Sequence, residues 1–386
     1  MNKICRVMMN LIGSEICGNA VCADEIKALS DDELKALYKL SKSHDLAHIV
    51  GNALLNAELL GEGKLKEAYQ NDVFTAVYRY EMLAYELEEL RRVFNEAKIP
   101  FIPLKGSVIR NYYPEPWMRT SCDIDILVHE ENLERATKSI IDKLSYSFSN
   151  DRTNHDVSLY SSNGVHLELH YNLVEDGRFP QADKLLECCW EYTYSEDSGK
   201  VIKFKEPFFY FYHVLHMAKH FKIGGCGVRS FLDLWILNHK VSFDKQERFE
   251  LLKKSGLIKF VEQSKDLAET WFSGREYTEL TRKMETYILQ GGVYGTLENR
   301  VAVERTKKSK FGYVLSRIWL SYKSLKCLYP SLEKHKWLLP FYEIRRWFAL
   351  LFNGGVKRGS NELKVNANLS DEKKQAAKNL IDELGL

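Results

Sequence analysis

Two carboxylates stand two residues apart in the apolar run Cys-Asp-Ile-Asp-Ile-Leu-Val, at Asp123 and Asp125. On a strand, residues i and i+2 share a face, so these side chains point one way while Ile124 and Ile126 point into the opposite layer. Neighbouring carboxylates repel, and burying them unpaired is costly. A divalent cation resolves the conflict. Two oxygen ligands completed by phosphate suit Mg²⁺, which seldom receives an all-protein cage. A third acid, Glu168, lies in Val-His-Leu-Glu-Leu-His, sharing a strand face with His166 and His170. Should the two strands be neighbours, three carboxylates could hold two cations about 3.5–4 Å apart, one activating an attacking oxygen and one binding a leaving phosphate.

Upstream, Lys105-Gly106-Ser107 follows a short apolar run. A glycine turn into a helix start presents free N–H groups to phosphate, and the Ser107 hydroxyl adds a donor. Lys105 and Arg119 are the cations best placed in sequence to neutralise a triphosphate. A second cluster comes from the helical run that carries His213, His216, Lys219 and His220, with Asp233 farther on. His216 and His220 stand one turn apart. Without a further acid or cysteine at ligand spacing they read as cleft-lining or packing residues, hydrogen-bonded in part to Asp233, rather than as a zinc site. Lys219 and His170 belong to the same candidate cleft.

The elements that must position these groups follow from periodicity. Apolar residues from Tyr69 to Phe94 recur at three-and-four spacing, which predicts one amphipathic helix of about thirty residues. Ile99–Leu104 reads as a strand, Gly106-Ser107 as the start of a brief helix that Pro114 stops, Asp123–Val128 as a strand, and residues 130–144 as a helix. Two alternating runs joined by Ser161-Ser162-Asn163-Gly164 predict a hairpin. Beyond Glu206 the pattern predicts helices near 207–222, 228–240, 243–255, 258–271 and 275–289. After 305–346 comes the glycine-containing run 353–361, then a last helix starting near Ser370. The fold expected is α+β: an N-terminal helical segment over 1–98, a small mixed-sheet core over 99–205 and a C-terminal helical domain over 206–386.

Gly106-Ser107, then Asp123-Ile124-Asp125 after a spacer of 15 residues, then Glu168 on another strand, resembles the DNA polymerase β-like nucleotidyltransferase superfamily. The string Leu104-Lys105-Gly106, Arg119 four residues ahead of Asp-Ile-Asp, and Glu168-Leu169-His170 is most similar to a bacterial family described as uncharacterised nucleotidyltransferases, with the likeness running over about residues 65–240. The resemblance implies an enzyme that moves NMP from an NTP to a hydroxyl-bearing acceptor and releases pyrophosphate. It implies two Mg²⁺ ions on Asp123, Asp125 and Glu168, and a nucleotide held by Lys105, Gly106, Ser107 and Arg119. The acceptor is left open among a small molecule, a protein side chain and an RNA end. The alternative is a non-catalytic nucleotide-sensing or interaction protein that keeps the transferase fold.

Composition sets outer bounds. The chain has 386 residues, 45% hydrophobic, with 55 basic and 53 acidic side chains, so overall charge selects no partner. Eight cysteines without a C-x-x-C pair argue against a disulfide framework or structural zinc and for a reducing, cytoplasmic setting. The N-terminal apolar run is too short for a signal peptide, and no run approaches a membrane span. The segment 305–346 carries eleven Lys or Arg against two acids, interleaved with Trp, Tyr and Phe. The expectation there is aromatics packed into a core beneath solvated lysines; the alternative is a surface for nucleic acid, an acidic partner or an anionic membrane.

Overall fold

The computed structural model describes residues 2–175, 177–196, 201–293, 295–352 and 355–386. It is α+β, mostly helical, around one five-stranded mixed sheet. The strands are β1 (Phe101–Pro103), β2 (Asp123–Val128), β3 (Ser147–Arg152), β4 (Asp156–Tyr160) and β5 (His166–His170), in the order β1-β2-β5-β4-β3. β1 runs antiparallel to β2, and β3, β4 and β5 form an antiparallel meander. β5 then lies parallel to β2, with Asp123 opposite His166 and Asp125 opposite Glu168. A parallel pair needs a crossover, here supplied by the helix Leu133–Leu144 and the β3–β4 hairpin. Two short strands outside this sheet, β6 (Thr193–Glu196) and β7 (Val201–Phe204), pair antiparallel.

One face of the sheet is dry. Ile124, Ile126, Leu167 and Leu169 pack with Leu83, Leu90 and Phe94 of the long helix Lys64–Glu96 and with Leu133, Ala136 and Ile140 of the crossover helix. The predicted thirty-residue helix is therefore present, and its stripe is the roof of this core. A larger cluster joins residues of the N-terminal helix Lys3–Ile16 and the helix Ala47–Asn56 to the helices between Glu206 and Leu289. The segments before and after the sheet thus share one apolar interior. Its burial, at about 25 cal/mol per Å² of apolar surface, holds the helix Glu206–Ile223 against the sheet side that carries the carboxylates.

The structure departs from the sequence expectations in several elements. β3 and the β6–β7 pair were not expected. The run 353–361, whose first two residues lie outside the described set, is helical from Gly355 within Gly355–Asn368. Of the aromatic residues of 305–346, Tyr313 packs into a small core with Val301, Ala302 and Leu369, but others do not pack inward as expected: Phe311 is 76% exposed, Trp337 69% and Phe341 63%. Tyr313, Leu325 and Leu332 hold inward positions there, and ion-paired polar groups, described below, hold others. Among the described residues, no helix is long and apolar enough to cross a membrane.

Candidate active site

The register of β2 and β5 brings three acids together on the sheet face opposite the dry core. Ligand atoms of Asp123, His166 and Glu168 lie within 4.8 Å of one another, and so do those of Asp125, Glu168 and His170. Glu168 belongs to both trios, as a carboxylate shared between two cation positions would. His166 Nε2 is buried and has no hydrogen-bond partner, although the ring stacks on Tyr160 at 4.7 Å.

Lys105 closes the site from the β1 side. Its Nζ donates to Asp125 Oδ1 at 2.8 Å, and His170 Nε2 reaches the same oxygen at 2.9 Å and Glu168 Oε2 at 3.5 Å. Burial would raise the Asp125 carboxyl, but Lys105 and His170 outweigh it and hold it well below the usual carboxylate range. Burial likewise opposes a charge on His170, yet the bonds to Asp125 and Glu168 lift its pKa to about 9. Asp123 differs. Burial, then the neighbouring Asp125 and Glu168 charges, push it up to about 6. The pair is split into one compensated and one uncompensated carboxyl, and the second invites a cation.

The turn into the phosphate-seat candidate is strained at Lys105, whose φ is +43°, a conformation that L residues adopt only when their surroundings impose it. The helix that follows spans only Gly106–Ile109. The Ser107 amide donates to the Leu104 carbonyl at 3.1 Å and the Val108 amide to the Lys105 carbonyl at 3.1 Å, which leaves the Gly106 amide and the Ser107 hydroxyl as the donors of this turn that a phosphate would need. Gly106 is closely packed: a Cβ there would sit 3.2 Å from Ser121 Cβ, so Ser121 would have to shift by a few tenths of an ångström. Ser107 also borders a cavity of about 460 Å³ with Arg91, Asn111 and Lys203.

Arg119 turns away from the aspartates. Its Nε and Nη2 bond Asp233 at 2.8 and 2.9 Å, and its Nη1 donates to the Thr120 carbonyl at 2.6 Å. Tyr113 Oη donates to Asp233 at 2.6 Å. Among the described residues the hydrogen bonds to Asp233 come from Tyr113 and Arg119, while His213 lies close enough to act on it by charge. His216 and His220 face each other, Nε2 to Nε2 at 3.2 Å, and burial lowers the pKa of both. Among the described residues neither belongs to a trio of ligand atoms. Lys219 is buried and pairs with Glu175 at 3.4 Å.

Two residues carry more than the sequence suggested. His166 was noted only as a flank of Glu168; its i−2 position was the signal. Arg110 was not singled out. It is buried, donates to the Gly106 carbonyl at 2.8 Å and to Ser121 Oγ at 2.5 Å, and among the described residues has no carboxylate within ion-pair distance. Its place one turn after Gly106 puts a positive charge behind the Gly-Ser turn.

Comparison with known proteins supplies the lineage. No curated protein and no solved structure matches the chain. A family model described as "Uncharacterised nucleotidyltransferase" matches residues 30–273, more than half of the chain, and its span includes the long helix, the whole sheet and the helix carrying Asp233. The chain belongs to the uncharacterised nucleotidyltransferase family.

Proposed function

We propose that this protein is a Mg²⁺-dependent nucleotidyltransferase that moves NMP from an NTP onto a hydroxyl-bearing acceptor. The observation that carries this reading is the parallel register that sets Glu168 opposite Asp125, with Asp123 on the same face. The donor set fits the metal: three carboxylates, one of them raised in pKa for want of compensation, beside an unpartnered buried imidazole nitrogen. Asp123, Asp125 and Glu168 would hold two Mg²⁺ ions, which supply Lewis-acid stabilisation of the charge that develops on the transferring phosphate.

The residues divide the remaining work. The Gly106 amide and the Ser107 hydroxyl receive the terminal phosphates, and Arg110 adds charge from behind the turn. Lys105, which bonds Asp125 in the structure, would be the cation to reach a bound triphosphate. Arg119, held by Asp233, braces the segment that enters β2. The acceptor oxygen forms its bond to the α-phosphorus, and its proton passes to Glu168. The bond from that phosphorus to the α,β-bridging oxygen breaks, and the electron pair departs with pyrophosphate. Positioning and charge neutralisation supply most of the acceleration.

A second reading, a nucleotide-sensing protein without turnover, draws support from one feature. Lys105 and His170 already neutralise Asp125, as a site that binds nucleotide without using it would allow. One experiment separates the two. The protein is incubated with labelled ATP, GTP, CTP or UTP, Mg²⁺ and cell extract. Transfer of label to an acceptor is expected, and Asp123→Asn and Asp125→Asn should each lower it by about 10²-fold or more. Undiminished labelling in both variants would remove the aspartates from the mechanism. Nucleotide binding with no transfer under any condition would favour the sensor.

A further inference from the structure

We propose that the helices Lys310–Ile318 and Leu339–Phe352 form a docking surface for an anionic lipid bilayer, lying on it rather than crossing it. Both helices are inside out. In the first, Phe311, Leu315 and Ile318 point to solvent at spacings of four and three, one face of a helix. The inward side holds Tyr313, bonded to Glu362, and Arg317, paired with Glu362 and Glu304 at 2.7 Å each. In the second, Phe341, Ile344 and Phe348 are exposed while Glu343 is fully buried, pairing with Arg346 at 2.8 Å and accepting from the Leu320 amide at 2.6 Å. Ion pairs pin the inner faces, so the outward aromatics cannot turn in without breaking them.

The surrounding charge names the partner. The segment has eleven cationic side chains against two acids. Both acids are engaged, Glu333 by Lys326 and Glu343 by Arg346. Lys307, Lys310, Lys334, Lys336 and Arg345 are exposed around the apolar faces. Trp319 and Trp347, half-exposed and edge-to-face at 6.0 Å, join the two helices. Amphipathic indoles flanked by lysines suit the headgroup level of a bilayer. Nucleic acid would use the cations and the rings but not Leu315, Ile318, Ile344 or Leu350, which offer no stacking plane. A second copy of the same face would oppose like charge to like.

The test uses the full chain with vesicles of phosphatidylcholine alone or with phosphatidylserine added. Expected are sedimentation with the anionic vesicles only, a blue shift of tryptophan emission on binding, and weakening by salt. The double variants Lys334→Glu/Lys336→Glu and Phe341→Ser/Phe348→Ser should each lose about tenfold or more of the affinity, with unchanged thermal melts showing that they remain folded. Absence of binding to anionic vesicles would overturn the proposal. So would vesicle binding that neither double variant weakens. Retention of a single-stranded RNA without vesicle binding would reassign the surface to nucleic acid, and a concentration-dependent dimer that the Phe variant dissolves, again without vesicle binding, would reassign it to a second copy.

Discussion

At the scale of single residues, Lys105 decides how the site can work. Its ammonium sits on one carboxylate oxygen of Asp125, 2.8 Å away, where it competes with any cation held by that residue, and burial of the pair makes either charge expensive without the other. Replacing Lys105 with Met removes this internal competitor. Mn²⁺ titrated alone should then bind more tightly to Lys105→Met than to the parent chain, while NTP affinity falls about tenfold, the equivalent of ~1.4 kcal/mol. Paramagnetic resonance of free Mn²⁺ and equilibrium nucleotide binding read the two arms. Weaker Mn²⁺ binding in the variant would mean that Lys105 supports the cation site rather than occupying it. The acids themselves were legible in the sequence, since period two put Asp123 and Asp125 on one face and the same period marked Glu168. What the lysine and Arg119 bond to was not. Arg119 meets Asp233 only because a distant helix packs beside β2, and nothing local encodes that meeting.

At the scale of elements, long periodic runs declared themselves and weak ones did not. The helix Lys64–Glu96 has a continuous apolar stripe, and the helix Val228–His239 is apolar for most of its length. β3, Ser-Phe-Ser-Asn-Asp-Arg, alternates too little to announce a strand, and it exists because β4 offers it an open edge. The helix expected from 275 begins at Glu279, because Thr278 and Thr281 build a reciprocal cap there. A contact between two glycine loops was also beyond sequence reasoning. Gly224 and Gly225, after the helix Glu206–Ile223, lie against Gly295, which itself closes on Gly291, and a Cβ on Gly295 would overlap the Gly224 carbonyl, while its φ is +74°. Gly295→Ala should cost about 2 kcal/mol or more through backbone strain and overpacking, lowering the melting temperature of a chain this long by roughly 2–3 °C or more. Gly61→Ala, with nothing within 4 Å of its Cβ, is the neutral control. Equal melting temperatures for the two would show that the loops separate at little cost.

At the scale of the molecule, the shared interior imposes a pH dependence. Burial pushes His44 down to about 4, partly offset by the Leu289 carbonyl, and neither ring nitrogen makes a hydrogen bond of normal geometry. His48 and His213 are lowered by the same cause. An unfolded imidazole takes its proton below about 6.5, whereas folded His44 resists until about 4. Between these values the unfolded chain binds more protons, so stability rises with pH there and falls as pH drops. Each such group contributes at most ~1.4 kcal/mol per pH unit. Urea unfolding between pH 6.5 and 5 should show this slope, and His44→Leu should flatten it in part; an unaltered slope would assign the effect elsewhere. The strand order carries one more consequence, for the chain as it is being made. β4 leaves the ribosome before β5, yet β5 must end up between it and β2. Any early pairing of β4 with β2 has to be undone before β5 can take its place between them. Closure of that long crossover is a slow, non-local event, and the face that gathers the three acids is complete only once β5 has docked on β2.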